Sequence, residues 1–496
     1  MSPPIIRHDE LVTQVREALR FAHRGLERLD DNAAYWVDDA DPFVSLKDKV
    51  VIEAALLVTV AARLPAADDL GADLRTVAAD VRRLLLTPAH RALLMRYPHT
   101  AVAIGIGYLA QAATDAHDPA WEEPIRAAFA TGLVDGIERL PYRALEVRWL
   151  ERALSGSSTD DAGLVDGVLA ARPVHPIYMS PAETYALTHA VMYLTDFGTR
   201  DLPPGMAVAP LLDATGASLV WHLFTANFDL LGELVLLEAS TGRGLSVPGR
   251  MALGLLLERK EEWGFLPSPG FDPLEYQGLE ATAARSYAFR HTYHTNFVWG
   301  ILCAVLAVAG ALVQPTRRPQ VASPEEHRDV AATCADAVER AARSGWWTPP
   351  SIAASDGSPT TSLARLRVLA GERVGGVVVD RVERAARGAG LGMPAWRSIL
   401  LDALLTLAAR RYDLSLLAWL IEGQSARPGP MTSTEIEAVR FLARQQLPSG
   451  AIGAWFADPR NEHADAARDI NAAMVEALVR AERRATRGAG GAPRAA

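Results

Sequence analysis

The chain has 496 residues, of which 49% are hydrophobic and 22% charged, and a formal net charge of −9. That length suits one large domain or two to three ordinary ones, and the mild acidity argues against a nucleic-acid binder, which needs a basic face. Two cysteines, Cys303 and Cys334, are too few for a disulfide framework or a thiolate metal site.

In chain order, the elements read as helices. The opening "MSPPIIRHDELVTQVREAL" is already amphipathic and charged, so no signal peptide is expected and the chain is read as cytoplasmic. "LVTQVREALRFAHRGLERL", "VVIEAALLVTVAARL" and "DLRTVAADVRRLL" place apolar residues at three- and four-residue steps. The acidic "DDNAAYWVDDADPF" (30–43) between the first two reads as a surface loop from its Asp, Asn and Pro content. Alternating strand patterns are nearly absent, and ordinary helix and loop lengths give roughly eighteen to twenty-two helices.

"ETYALTHAVMYLTDFG" (183–198) is the best punctuated stretch. Ser180, Pro181 and Glu183 supply an N-cap, a first-turn proline and a capping box, and Gly198 fits a left-handed terminator. Tyr185, His189, Met192 and Asp196 then step by four, three and four along one helical face. A carboxylate in the last turn meets the negative end of the helix dipole. Asp196 therefore either pairs with a cation such as Arg200 or sits partly buried with a raised pKa, as a general acid does.

"SLVWHLFTANFDLLGELVLLEAS", taken as one helix, puts His222, Thr225, Asp229 and Glu233 on a line. Such a stripe reads first as the wet face of an amphipathic helix; turned inwards, Asp229 and Glu233 would line a substrate site. After the Gly/Trp/Pro turn "EEWGFLPSPGFDP" (261–273), "SYAFRHTYHTNFVWGILCAVL" repeats the four-three-four spacing with Tyr287, His291, His294 and Val298. Two imidazoles one turn apart can share a proton or a metal, but no carboxylate nearby completes a known metal motif, so no metal is expected. The apolar run from Phe297 to Val313 holds two glycines and no flanking aromatic belt, which makes it a core helix rather than a membrane span.

"VQPTRRPQVASPEEHRD" (313–329) is the best internal boundary. It divides the chain into an N-terminal helical part over 1–312, a linker over 313–329, a C-terminal helical part over 330–485 and a disordered tail over 486–496. The turns "SGWWTPPS" and "QQLPSGAIGAWFADP" share their composition with 261–273 but no fixed period. Recurring helix pairs joined by such turns suit an all-α chain folded as an α/α toroid, its two halves enclosing a central cavity, with two separate helical domains as the alternative.

Two resemblances bear on this. "THAVMYLTDFG", "YHT" (293–295) and "DPF" (41–43) resemble a group of actinobacterial proteins known only as a domain of unknown function, over most of residues 10–310. The resemblance implies no reaction, but it implies that His189, Asp196 and His294 belong to one shared pattern. "FLARQQLPSGAIGAWF" (441–456) resembles the Gln-x-x-Gly-x-Trp turns of terpenoid cyclases and protein prenyltransferases, with "AIGA" inserted between Gly450 and Trp455. That resemblance implies a toroid; the aspartate motifs of standard terpene cyclases are absent from the sequence.

The expectation is a biosynthetic enzyme of specialised metabolism that cyclises, eliminates or isomerises a small apolar substrate by acid–base chemistry. Asp196 would donate a proton, His189 would orient or recharge it, and His291 and His294, with Tyr293 beside them, would act as base or stabilise charge. Tyr185, Met192, Tyr287, Trp299, Asp229, Glu233 and Trp455 would contact the substrate. No nucleotide motif is present, so no cofactor is expected. No nucleic acid is expected as a partner; a homodimer is allowed. The alternatives are a metal-dependent or carboxylate-based hydrolase or lyase on an α/α barrel, and a non-catalytic helical scaffold or carrier.

Overall fold

The computed structural model describes residues 6–29, 45–64, 67–156, 161–309, 322–347, 362–425, 427, 429–453 and 464–490. The acidic segment 30–43, with its "DPF", and Trp455 lie outside the described residues. Within them the chain is all-α: twenty-one α-helices, and no strand beyond one isolated bridge between Gln446 and Ile452.

The helices are α1 (His8–Leu26), α2 (Leu46–Ala61), α3 (Ala67–Leu85), α4 (Pro88–Arg96), α5 (Ala101–Ala112), α6 (Pro119–Ala130) and α7 (Pro141–Ser155). There follow α8 (Ala162–Val165), α9 (Pro181–Leu194), α10 (Val208–Thr225), α11 (Phe228–Ser240), α12 (Val247–Trp263), α13 (Pro273–Gly278) and α14 (Ala281–Ala309). The last are α15 (Pro324–Arg343), α16 (Leu363–Val374), α17 (Gly376–Gly388), α18 (Met393–Arg410), α19 (Leu414–Ser425), α20 (Ser433–Arg444) and α21 (Ala464–Gly490).

Their starts are written in side chains. Ser45 accepts from the Asp48 amide at 3.1 Å and Asp48 answers the Ser45 amide, closing a capping box on α2. Thr87 and Asp118 cap α4 and α6 with a proline in the first turn of each. Each such cap satisfies amides that a helix leaves unpaired.

The chain divides into two compact units. One comprises Met1–Pro173, Pro181–Thr215 and Ala226–Arg317; the other comprises Val174–Ser180, Gly216–Thr225 and Arg318–Ala496. In the first unit α2 packs on α5, α5 on α7, α7 on α9, α9 on α11, α11 on α14, and α14 back on α2. These six helices make a closed circuit, against which α1 packs through α14 and α2, and α3 through α2 and α5. Gly300 lets α14 approach closely: a Cβ there would lie 2.7 Å from both Ala18 and Leu57. The apolar run beginning at Phe297 forms the buried second half of α14 as far as Ala307. Among the described residues no helix is long and apolar enough to cross a membrane.

In the second unit α21 packs along α15 and α19, and α18 contacts α16, α19 and α20. The buried Arg484 guanidinium meets Glu435 at 2.9 Å and the Gln424 carbonyl at 3.0 Å. The Gln-rich turn after α20 is anchored by Gln446, whose amide donates to the carbonyls of Ala337 at 2.7 Å and Gly450 at 2.9 Å. Two sequence boundaries shift. Residues 323–329, expected in a linker, cap and begin α15 through Ser323 and Glu326. Residues 486–490, expected in a disordered tail, continue α21, because Arg487 reaches the Ser425 carbonyl at 3.3 Å and Gly488 abuts His327.

Candidate functional site

The six helices of the circuit line an open cavity of about 1060 Å³. Ile52, Leu56, Val102, Ile106, Leu236 and Ile301 supply apolar wall, while Tyr185, His189, Asp229, Glu233, His294 and Glu53 supply a polar patch. Glu53 is the acid of the apolar "VVIEAALLVTVA" on α2, and all thirteen residues of α11 are buried, Asp229 at 5% and Glu233 at 1% exposure. The wet face expected for Asp229 and Glu233 is therefore not there. The line through His222 and Thr225 breaks as well, because Asn227 caps a new helix, its Oδ1 accepting from the Leu230 amide at 3.1 Å.

Carboxylates buried in this way require partners. His294 is the hub. Its Nδ1 lies 2.7 Å from Glu53, and its Nε2 lies 3.2 Å from Glu233 and 3.6 Å from Asp229. With an acceptor on both ring nitrogens, the imidazole is served best as a doubly protonated cation. Burial pulls its pKa down, but the charges of Glu53 and Asp229 and the hydrogen bonds to Glu233 and Glu53 lift it well above the usual value near 6.5.

Glu233 bridges to a second imidazole. Its Oε2 accepts from the Thr188 hydroxyl and stands 3.4 Å from Nδ1 of His189. Burial would raise the Glu233 carboxyl, yet the His189 charge and the hydrogen bonds from both imidazoles hold it far below the carboxylate range. His189 Nδ1 also faces the Tyr185 carbonyl at 2.9 Å, which fixes the ring, and no hydrogen bond among the described residues engages its Nε2. Burial lowers its pKa, and the charge of Glu233 more than restores it, for a net rise. The rings of Tyr142, Tyr185 and Tyr193 pack around it edge-on at 5.8, 6.2 and 6.2 Å.

Asp229 completes the patch, accepting from the hydroxyls of Tyr185 and Thr295, the latter at 3.0 Å. Burial and the neighbouring Glu233 raise its carboxyl. Arg143 and Glu146 pair at 3.0 Å on the wall, and Glu146 accepts from the Tyr193 hydroxyl at 3.0 Å. Among the described residues no group of three or more His, Cys, Asp or Glu side chains converges as a metal site; imidazoles and carboxylates pair with one another instead.

The structure brings together Tyr185, His189, Met192, Asp229, Glu233, His291 and His294 on one cavity. His291 sits at its edge, its carbonyl accepting from the Ser268 hydroxyl. Tyr293 is buried in an aromatic cluster with Phe289 and Phe297, Trp299 donates to Gln14 at 3.0 Å, and Tyr287 lies in a different pocket.

Asp196 is not brought in. Helix α9 ends at Leu194, and Asp196, Phe197 and Gly198 are all left-handed, with φ of 46°, 54° and 86°. That turn aims the Asp196 carboxylate at the Arg63 guanidinium, 2.9 Å away, and at the Trp149 indole N–H, 2.6 Å away. Its cation is thus Arg63, in the turn after α2, not Arg200. The residues missed in the sequence are Glu53, Thr188, Thr295 and the Tyr142–Arg143–Glu146 group. A lone acid in an apolar run and the dipeptides Thr188-His189 and His294-Thr295 were the signals available for the first three.

The chain belongs to the family described as Domain of unknown function (DUF6895), whose profile matches residues 15–304. That span includes every residue of the polar patch. No curated protein and no solved structure matches the chain.

Proposed function

We propose that this member of the family is an enzyme that moves protons on a small, largely apolar molecule held in the six-helix cavity. The observation that carries the reading is Glu233, buried and ionised, holding His189 and His294 together beneath apolar walls. His189 presents Nε2 to the ligand. As the imidazolium it delivers a proton, and as the neutral ring, with Nδ1–H kept by the Tyr185 carbonyl and Glu233, it takes one back. Delivery at one atom and removal at another isomerises an unsaturated ligand; delivery to a double bond begins ring closure; removal beside a leaving group eliminates it.

His294 is the positioning group in this reading. Its fixed charge keeps Glu53 and Glu233 ionised, so Glu233 holds His189 in one tautomer and one orientation. The reading makes the protein a cyclase, lyase or isomerase of specialised metabolism that works in the cytoplasm, and makes the six-helix circuit the inner ring of an α/α toroid. In D2O, a panel of terpenoid olefins, enones and 2-hydroxy acids incubated with the protein would gain carbon-bound deuterium, read by mass spectrometry. Glu233→Gln, still helical and still binding the reactive compound, would lose that uptake; uptake undiminished in this variant would overturn the assignment. Binding without uptake in the wild-type chain would mark a carrier.

A further inference from the structure

A second pocket, of about 550 Å³, lies between the end of α1, the turn after α12 and the start of α14. Its floor is aromatic. Trp263 meets Phe271 edge-on at 5.5 Å and Tyr276 at 6.2 Å, Phe265 meets Tyr276 at 5.7 Å, and Tyr287 closes the group at 5.8 Å from Phe271. Trp263, Phe265 and Phe271 come from the Gly/Trp/Pro turn 261–273, Tyr276 from α13 and Tyr287 from α14; none of these five side chains lines the acid–base cavity, which takes Ser268 and Pro269 from that turn.

The pocket's rim is basic: Arg24 from α1, Arg28 two residues past its end, and Arg285 and Arg290 from α14. Among the described residues neither Arg24 nor Arg28 has a carboxylate partner, and Arg285 donates to the Thr282 hydroxyl at 3.2 Å. The lining also holds two carboxylates: Glu27, 3.4 Å from the His23 imidazole, and Glu275, which accepts from the Tyr287 hydroxyl within the pocket. A concave aromatic floor takes a flat apolar body, and guanidinium groups around it select an oxyanion by paired N–H donors.

We propose that this pocket binds a small anion with a flat apolar body, whose ring lies on the Trp263–Tyr276–Tyr287 floor and whose carboxylate, sulfonate or phosphate meets Arg24, Arg28 and Arg285. His291 lines both this pocket and the acid–base cavity, and its ring lies 4.3 Å from Tyr287, so the bound anion sits one side chain away from the larger cavity. The assignment stands on this pocket's own residues, whatever the cavity does.

The test uses the full chain and three probes on one ring system: naphthalene-2-sulfonate, 2-naphthalenemethanol and (2-naphthylmethyl)trimethylammonium, titrated calorimetrically. The sulfonate is expected to bind at least about tenfold more tightly than the alcohol, and the ammonium more weakly than either. The double variant Arg24→Glu/Arg28→Glu changes two exposed side chains, so the fold is retained, and it is expected to reduce sulfonate affinity by about tenfold or more while sparing the alcohol. Equal affinities for sulfonate and alcohol would overturn the proposal. So would sulfonate binding unchanged in the double variant.

Discussion

In the body of α9, Thr188 and His189 reach buried Glu233, whereas two residues past its end Asp196 is held by an arginine and an indole. Both regions hold an acid among apolar neighbours. In the cavity the partners are titratable and shared, so a proton has somewhere to go; at the turn they are Arg63 and Trp149, which keep theirs. Polar side chains on one helical line thus divide into a site and a brace, according to whether the neighbours can change charge.

The comparison breaks most sharply at Glu233. Glu233→Ala would leave two imidazolium rings short of a counter-charge and cost about 3–5 kcal/mol, read as a lower urea midpoint. The same cluster sets a pH window. His189 and His294, raised above about 6.5, contribute stability that is complete below that pH and lost as pH rises through their folded pKa values. Glu53 and Glu233, held below about 4.5, contribute stability present above that pH and lost as it falls through theirs. Stability from the cluster should therefore peak between these values and decline on the alkaline side by at most about 1.4 kcal/mol per pH unit for each histidine. His294→Gln should flatten the alkaline decline; a decline unchanged in slope would remove His294 from the hub.

Asp196→Ala comes next. It strips the acceptor from the buried Trp149 N–H and from Arg63, at a cost of about 1–3 kcal/mol. Because the carboxylate does not face the cavity, the titrations of His189 and His294 by NMR should stay in place. A shift in either would show that the brace and the site are one unit. Gly198→Ala tests the same turn through the backbone: at a φ of 86°, with a Cβ placed 3.3 Å from Cα of Ser240, it should cost roughly 1–2 kcal/mol.

Helix content was legible in the sequence because it depends on local period and caps: "DLRTVAADVRRLL" and the Pro181 start of α9 needed nothing distant. The pairing of His189 with His294 was half legible, since two matching stripes suggested a shared face. Glu53 was not legible as a site residue, because its link to His294 spans 241 positions and a lone acid in an apolar run does not name its partner. Asp196 misled for a local reason. The Thr195–Arg200 turn leaves the helix before the aspartate, with the Arg200 amide bonded to the Thr195 carbonyl at 2.8 Å, so a period of 3.6 no longer places its side chain.

The smallest effect belongs to the residue that touches both regions. Tyr193 packs on His189 at 6.2 Å on one side and on Trp149 at 5.6 Å and Phe197 at 6.1 Å on the other. Its hydroxyl donates to Glu146 at 3.0 Å, and burial, then the Glu146 charge, keeps the phenol protonated far above its ordinary range. Tyr193→Phe preserves every ring contact and deletes that one hydrogen bond, while Glu146 keeps Arg143. The cost should be about 0.5–1.5 kcal/mol, constant across neutral pH, with the His189 titration unmoved. If that titration does move, the hydroxyl carries charge information between Glu146 and His189, and the boundary of the polar patch extends to α7.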